Sequence, residues 1–405
     1  MAAQGEGGPG PLSGLRVLEL GQIAAGPFAG SLLADLGADV VKVERPDGGD
    51  GMRAWPPLSA GEAGTAAFSE NFASLNRNKR SVAFDLKDPQ DLARLVALAA
   101  VADVLVENFR SGVLDRLGLG YEALSSANPR LVYCSISGYG RAGPLSSRGA
   151  FDVTVQAMSG VMSVTGEEGG APVKCGVPIG DFCAGLYAAF TILAAVLAAR
   201  CGGRGAHLDC SMLGSLIGVS ALQTSEYFGT GRAPRALGSA HPRNAPYQAF
   251  RASDDWLVVA AGNDRLWLEV CRAVGAPELA QDPRFDSQER RAANQGDLVA
   301  LLEPQFATRS AAEWLEEMDR RGVPCAPINS YPEILASEQL QAMELVRPLL
   351  LPNGAATRTT AFPVAISGSR FEIRRGPPEL GEHNDEVLEE WLAVPVAGRR
   401  GEPAF

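Results

Sequence analysis

The pattern of apolar and polar positions gives the first elements directly. Leu15–Leu20 (Leu-Arg-Val-Leu-Glu-Leu) has the length and character of a short buried strand. Gly26–Leu36 follows as a helix that stops at Gly37, and Ala38–Glu44 is a second strand. Strand, helix and strand at this spacing make a βαβ unit, hence a parallel sheet with right-handed crossovers. The rhythm continues with strands at Ser81–Leu86 and Asp103–Glu107 around a helix at Gln90–Ala99, and a further strand at Leu131–Ile136. Phe182–Ala199 is the longest apolar run and nearly reaches the length of a membrane span. Gly185, Tyr187 and Thr191 interrupt it and no second span matches it, so it reads as a buried core helix. Ala206–Cys210 and a helical stretch from Ser211 to Tyr227 come next.

The texture then changes. Gly229–Pro246 is rich in Gly, Pro and Arg and reads as a linker or long loop. A strand at Trp256–Ala261 and helices at Arg265–Val274, Gln288–Leu302 and Ala311–Arg321 suggest a smaller α+β domain. Near the end, Gly381-Glu-His-Asn opens a helix that is apolar at Val387, Leu388 and Trp391. At 405 residues two domains are expected in any case.

Charge and composition narrow the function classes. The net charge of −11 argues against a nucleic-acid partner or an anionic membrane, but not against an anionic ligand held by local arginines. Seven scattered cysteines without a C-x-x-C pair read as reduced thiols, and so as a cytoplasmic location. The three histidines, His207, His241 and His383, lack the spacing of a metal site. The first residues have neither the basic nor the apolar region of a signal peptide. No nucleophile elbow or phosphate-binding Walker sequence is present. Gly118-Leu-Gly120-Tyr-Glu-Ala123 imitates a dinucleotide fingerprint, but it follows a helix-like stretch where that motif needs a strand.

Asp181 stands out. It follows Val-Pro-Ile and immediately precedes the long apolar helix, in the position of an N-cap. Helix N–H groups and the helix dipole would keep its carboxylate ionised, as a nucleophile requires. Read alone, such an Asp is more often a plain capping residue than a nucleophile.

A set of longer strings carries more weight. They are Gly26-Pro-Phe-Ala, Leu36-Gly-Ala-Asp-Val-Val-Lys-Val-Glu44, Leu75-Asn-Arg-Asn-Lys-Arg-Ser81, Asp103-Val-Leu-Val-Glu-Asn-Phe109 and Leu117-Gly-Leu-Gly-Tyr-Glu122. Ser135-Ile-Ser-Gly-Tyr-Gly140, Phe151-Asp152, Gln156-Ala-Met-Ser-Gly160, Val177-Pro-Ile-Gly-Asp181, Ala245-Pro-Tyr247 and Gly381-Glu-His383 follow in order. From about Pro11 to the C-terminal helix, the chain resembles the family III coenzyme A transferases, a group that includes formyl-CoA transferase and α-methylacyl-CoA racemase.

The resemblance implies a Rossmann-like large domain built from both chain ends plus a smaller α+β domain, in an interlocked homodimer. We divide the chain at 11–228, 229–330 and 331–405, the last segment returning to the large domain. It also implies Asp181 as the attacking carboxylate, and acyl-CoA and small carboxylic acids as substrates. Coenzyme A is then substrate and product, and no permanently bound cofactor is expected. CoA contacts carry over onto Arg45, Leu75, Asn76, Arg77, Asn78, Asn108, Phe109, Arg116 and Tyr139. Arginine suits the CoA phosphates because its guanidinium is bidentate and always charged. The Ser137–Gly140 backbone could supply oxyanion donors, and Arg148 and Arg243 could hold a distal carboxylate. Lys79 and Arg80 read as solvated or structural.

Two other readings stand beside this one. The racemase branch carries a histidine where this chain has Phe151, which cannot move a proton, and His241 would have to substitute for it. A non-catalytic CoA-binding protein would keep the arginines and dispense with Asp181. Gly262-Asn-Asp264 lacks the glycine run of the formyl-CoA branch, which argues against formyl and oxalate and for dicarboxylates with succinyl-CoA as donor.

Overall fold

The computed structural model describes residues 10–367 and 371–393. The chain divides into a large unit (residues up to 159, 176–225 and from 338 on) and a small unit (160–175 and 226–337). The sequence reading left 160–175 in the large domain. Within the small unit that segment is tied down by the Arg235–Glu168 ion pair and by a 2.8 Å bond from the Gly238 amide to the Gly166 carbonyl.

Among the described residues of the large unit, six strands form one parallel sheet: β1 (Arg16–Leu20), β2 (Asp39–Glu44), β3 (Lys79–Ala83), β4 (Val104–Glu107), β5 (Val132–Ser137) and β6 (His207–Ser211). Their spatial order is β3-β2-β1-β4-β5-β6. This is the doubly wound nucleotide-fold order, in which the strand sequence reverses between β1 and β4 and opens a crevice at the strands' C-terminal ends. The helices used below are α1 (Ala25–Asp35), α2 (Glu70–Asn76), α3 (Pro89–Val101), α4 (Asp152–Met158), α5 (Ile179–Gly202) and α6 (Met212–Val219).

β3 starts two residues earlier than the pattern suggests, because Lys79 and Arg80 are buried strand residues rather than a polar lead-in. Lys79 pairs with Glu19 of β1 at 2.7 Å, and Arg80 is held by Asp39, Glu386 and Glu390.

α5 corrects the expectation of a fully buried helix. Its small residues Ala184, Gly185, Ala188 and Ala199, with Ile192 and Val196, are buried. A side chain at Gly185 would meet the Phe28 ring at 2.8 Å and the Ala25 carbonyl at 3.0 Å, so glycine is what lets α1 and α5 approach. The other side leaves Phe190 71% and Leu197 60% exposed.

In the small unit an antiparallel sheet runs β7 (Tyr247–Arg251), β8 (Trp256–Ala260) and β9 (Cys325–Pro327), with β8 central. Against it pack the amphipathic helices α7 (Asp264–Ala273), α8 (Gln295–Phe306) and α9 (Ala311–Arg320), which bury Trp267, Leu302, Phe306 and Trp314. The chain then returns to the large unit. α10 (Asn384–Leu392) buries Val387 and Trp391 against Leu95, Leu98 and the sheet residues Leu18 and Val41. The Trp391 indole donates to Asp39 at 2.8 Å, and the His383 amide to the Ser81 carbonyl at 2.9 Å.

Candidate active site

In a parallel sheet with helical crossovers the helices run antiparallel to the strands, so helix N-termini gather at the strands' C-terminal edge. That edge of the large unit holds Arg45 after β2, the turn Gly21–Ala24 after β1, Asn108 and Phe109 after β4, and Tyr139 after β5. The N-termini of α1 and α5 lie at the same edge, and the Phe28 and Phe182 rings pack with centroids 4.6 Å apart.

Asp181 is the third residue of α5, not its N-cap; Pro178 holds the cap position without a side-chain bond. The cap is supplied from outside the helix. Asp152, the first residue of α4, accepts the Gly180 amide at 2.8 Å with one carboxylate oxygen and Gln156 Nε2 at 2.6 Å with the other. Both Asp152 carboxylate oxygens are therefore engaged beside Asp181. Burial and then the Asp152 charge push the Asp181 carboxyl up to about 6. Neither cause is a cation, so the expected stabilisation of its charge by the helix end is outweighed. At neutral pH the group is still mostly ionised, and it is more basic than an ordinary carboxylate.

The turn between β1 and α1 is held by side chains from β2, from the segment after it and from the end of β4. Asn108 accepts the Gln22 amide and donates to the Gln22 carbonyl, both at 2.8 Å. Asp50 accepts the Ile23 amide, and buried Lys42 donates to the Gly21 carbonyl at 2.8 Å. Asn108 thus joins the loops on the two sides of the switch point. The sequence pattern alone assigns no role to Asp50 or Lys42.

The other candidates fall into two groups. Arg45 is exposed, with Nε donating to the Gly49 carbonyl at 3.0 Å, and Arg116 is exposed after β4. Phe109 and Tyr139 are half-buried, the Phe109 amide bonding Glu107 at 2.8 Å. Leu75, Asn76, Arg77 and Asn78 precede β3 and so lie at the opposite edge of the sheet. Three of these side chains are already engaged. Asn76 bonds the Phe72 carbonyl and Lys79, and Arg77 pairs with Asp35. Asn78 joins Asp35 to the backbone of Arg374 and Arg375.

Of the suggested oxyanion donors, the Gly140 amide is taken by Ser137 Oγ at 2.9 Å. In the small unit His241 Nδ1 accepts the Arg243 and Asn244 amides, each at 3.1 Å, and burial together with Arg243 lowers its pKa. Arg243 pairs with Glu226 at 3.0 Å, which opposes its use as an open carboxylate clamp. Phe151, 80% exposed, precedes Asp152, and Arg148 is exposed.

The chain is similar to known proteins along nearly its whole length. Residues 12–384 match the sequence model of CoA-transferase family III. The chain is 39% identical to the succinate–glutarate CoA-transferase of Agrobacterium fabrum, covering 94% of this chain and 95% of that one. It is also 39% identical to the acetyl-CoA:oxalate CoA-transferase of Acetobacter aceti, covering 95% and 96%. Among solved structures, a CAIB/BAIF family protein from Brucella suis superposes with a TM-score of 0.84 at 37% identity, covering 95% of this chain and all of that one.

Proposed function

The chain belongs to CoA-transferase family III, and from that premise we propose that it moves CoA between dicarboxylic acids, with succinyl-CoA as donor and Asp181 as the covalent nucleophile. The observation that carries this reading is the Asp181 carboxylate itself: partly buried, made more basic by burial and Asp152, and set in the first turn of α5, where the neighbouring Phe182 ring packs on Phe28 of α1.

The Asp181 carboxylate attacks the donor thioester carbon; the C–S bond breaks, leaving an acyl-aspartyl anhydride and CoA thiolate. The thiolate attacks the Asp181 carbonyl, expels the donor carboxylate and forms an aspartyl-CoA thioester. The acceptor carboxylate repeats these two steps in reverse. No oxidant, metal or external base is consumed, and the thioester energy is conserved. A raised carboxylate pKa serves this cycle, because a more basic oxygen is the stronger nucleophile while pH 7 still leaves it charged.

Arg45 and Arg116 are assigned to the CoA phosphates, with Asn108, Phe109 and Tyr139 along the rest of the edge. For Leu75, Asn76, Arg77 and Asn78, the engaged side chains confine any CoA contact to backbone atoms and the half-buried Leu75. An oxalate enzyme is as similar to this chain as a glutarate enzyme, so oxalate stands beside glutarate among the candidate acceptors, against the expectation from Gly262-Asn-Asp264. Phe151 disfavours the racemase reading. The exposed apolar side of α5, with Phe190 and Leu197, supports a homodimer in which a second copy covers it. Seven scattered cysteines without a C-x-x-C pair support a reducing, cytoplasmic location.

The test is to incubate the protein with succinyl-CoA and a panel of acids, including glutarate, oxalate and mesaconate, and to follow CoA esters by mass spectrometry. A new CoA ester formed in step with free succinate is expected. Hydrolysis to free CoA alone, or no turnover with any acid, would overturn the reading.

A further inference from the structure

The turn Gly21–Ala24 contains a conformation that its sequence does not favour. Ile23 has φ of +64°, in the left-handed region, where a β-branched side chain is an outlier. Such a residue persists only when its surroundings hold it there. Here the surroundings can be named. Both Asp50 carboxylate oxygens lie 3.1 Å from the Ile23 amide nitrogen. Asp50 is in turn fixed by the Met52 amide at 3.0 Å and by the Lys42 ammonium at 2.9 Å.

The Lys42 ammonium also donates to Glu19 at 3.1 Å and to the Gly21 carbonyl at 2.8 Å, so all three of its protons are committed. Lys79 mirrors it from the other side of Glu19, donating to the Pro27 carbonyl at 2.8 Å and to Asn76 at 3.0 Å. Two buried ammoniums sharing one carboxylate therefore grip the chain at Gly21 and at Pro27, and Asp50 holds Ile23 between them. A buried ion network of this kind is a poor source of net stability but a strong source of fixed geometry.

What the grip positions is the first turn of α1, which has no side-chain cap from Ala24 and touches α5 one turn past Asp181, through Ala25 and Phe28. We propose that Asp50 is a positioning residue for CoA transfer: by holding the Ile23 amide it keeps Ile23 left-handed and fixes the first turn of α1 against the Asp181 end of α5. The role rests on the transferase reading given above, while the Asp50–Ile23 linkage itself does not.

The experiment is a double-mutant cycle. Asp50→Ala is made in the natural background and in an Ile23→Gly background, where glycine adopts the left-handed conformation without steric cost. In the natural background kcat falls about 10²-fold, as expected when a reacting centre is misplaced by about 1 Å, while KM for the acyl-CoA stays within about threefold. In the Ile23→Gly background the same substitution lowers kcat by less than about tenfold, since positions acting through one another are not additive. Equal losses in the two backgrounds, or no loss in either, would overturn the proposal, because an ion pair that merely supports the fold is not rescued at residue 23.

Asp50→Leu, close in shape but without an acceptor for the Ile23 amide, serves the same cycle if the alanine variant fails to fold. A crystal structure of whichever Asp50 variant folds gives an independent readout: Ile23 is expected at negative φ, and a retained positive φ sinks the linkage. Absence of CoA transfer by the unmodified protein would instead strike the transferase reading, and the Ile23 backbone would still decide whether Asp50 holds the turn.

Discussion

Asp152 accepts the Gly180 amide at 2.8 Å, and so one carboxylate caps the helix whose next residue, Asp181, carries the other. The two acids divide the labour. Asp152 is spent on hydrogen bonds to Gly180 and Gln156, and its charge keeps Asp181 more basic than burial alone would.

That arrangement predicts a pH profile. On the proposed mechanism the attacking Asp181 is ionised, so kcat/KM should rise with pH through about 6 and level off above it. Asp152→Asn keeps an oxygen for the Gly180 amide but removes the charge. The midpoint of the rise should move to lower pH in that variant, read from kcat/KM against pH; an unmoved midpoint would show that the Asp152 charge does not reach Asp181.

The same shift is a stability statement. The folded-state value of about 6 lies above the ordinary 3.8, so between those values the folded protein holds more protons than the unfolded one. Stability therefore declines as pH rises through that window, and the cost is complete above it. Asp181→Asn removes the cost. Two pH units correspond to about 3 kcal/mol, which partial solvent access reduces to about 1–2 kcal/mol. Thermal unfolding should show the Asn variant stabilised at pH 7.5, with the gain vanishing below about pH 4.

How far the sequence anticipates all this depends on how local the physics is. β1 and β2 are legible because Val17, Leu18, Val40 and Val41 are apolar runs that need no partner to be recognised. β3 is displaced in the reading because Lys79 and Arg80 look like surface residues until Glu19 and Asp39 are seen opposite them. Asp181 is conspicuous beside a long apolar run, whereas the cap of its helix comes from Asp152, 28 residues before Gly180, which no local pattern reveals. The Lys42–Asp50–Ile23 grip is hidden for the same reason: three ordinary residues acquire a role only when the sheet order brings them together.

Arg45 and Arg116 give a direct test of the ligand assignment. Each phosphate contact of this charge-assisted type contributes about 1.5–3 kcal/mol. Replacing either by Ala should raise KM for CoA esters roughly tenfold or more, and leave KM for the acceptor acid nearly unchanged. An unaltered KM for CoA esters would return both residues to ordinary surface charge.

Gly30 tests the buried ion network. A Cβ there would lie 1.8 Å from the Glu19 Oε2, and that carboxylate cannot swing aside because Lys42 and Lys79 hold it. Gly30→Ala should destabilise the protein by about 3 kcal/mol or more in chemical denaturation, despite the better helix propensity of alanine. A loss under about 1 kcal/mol would mean that Glu19 relocates freely.

The proposed mechanism carries CoA on Asp181. The direct measurement is to mix the protein with succinyl-CoA, quench with hydroxylamine or borohydride, and locate the modified residue by peptide mass spectrometry. The account predicts an aspartyl hydroxamate, or the corresponding reduced side chain, on the peptide containing Asp181, and none in the Asp181→Asn variant, whose transfer rate should be lower by several orders of magnitude. An adduct on any other residue, or substantial transfer by the Asn variant, would contradict it.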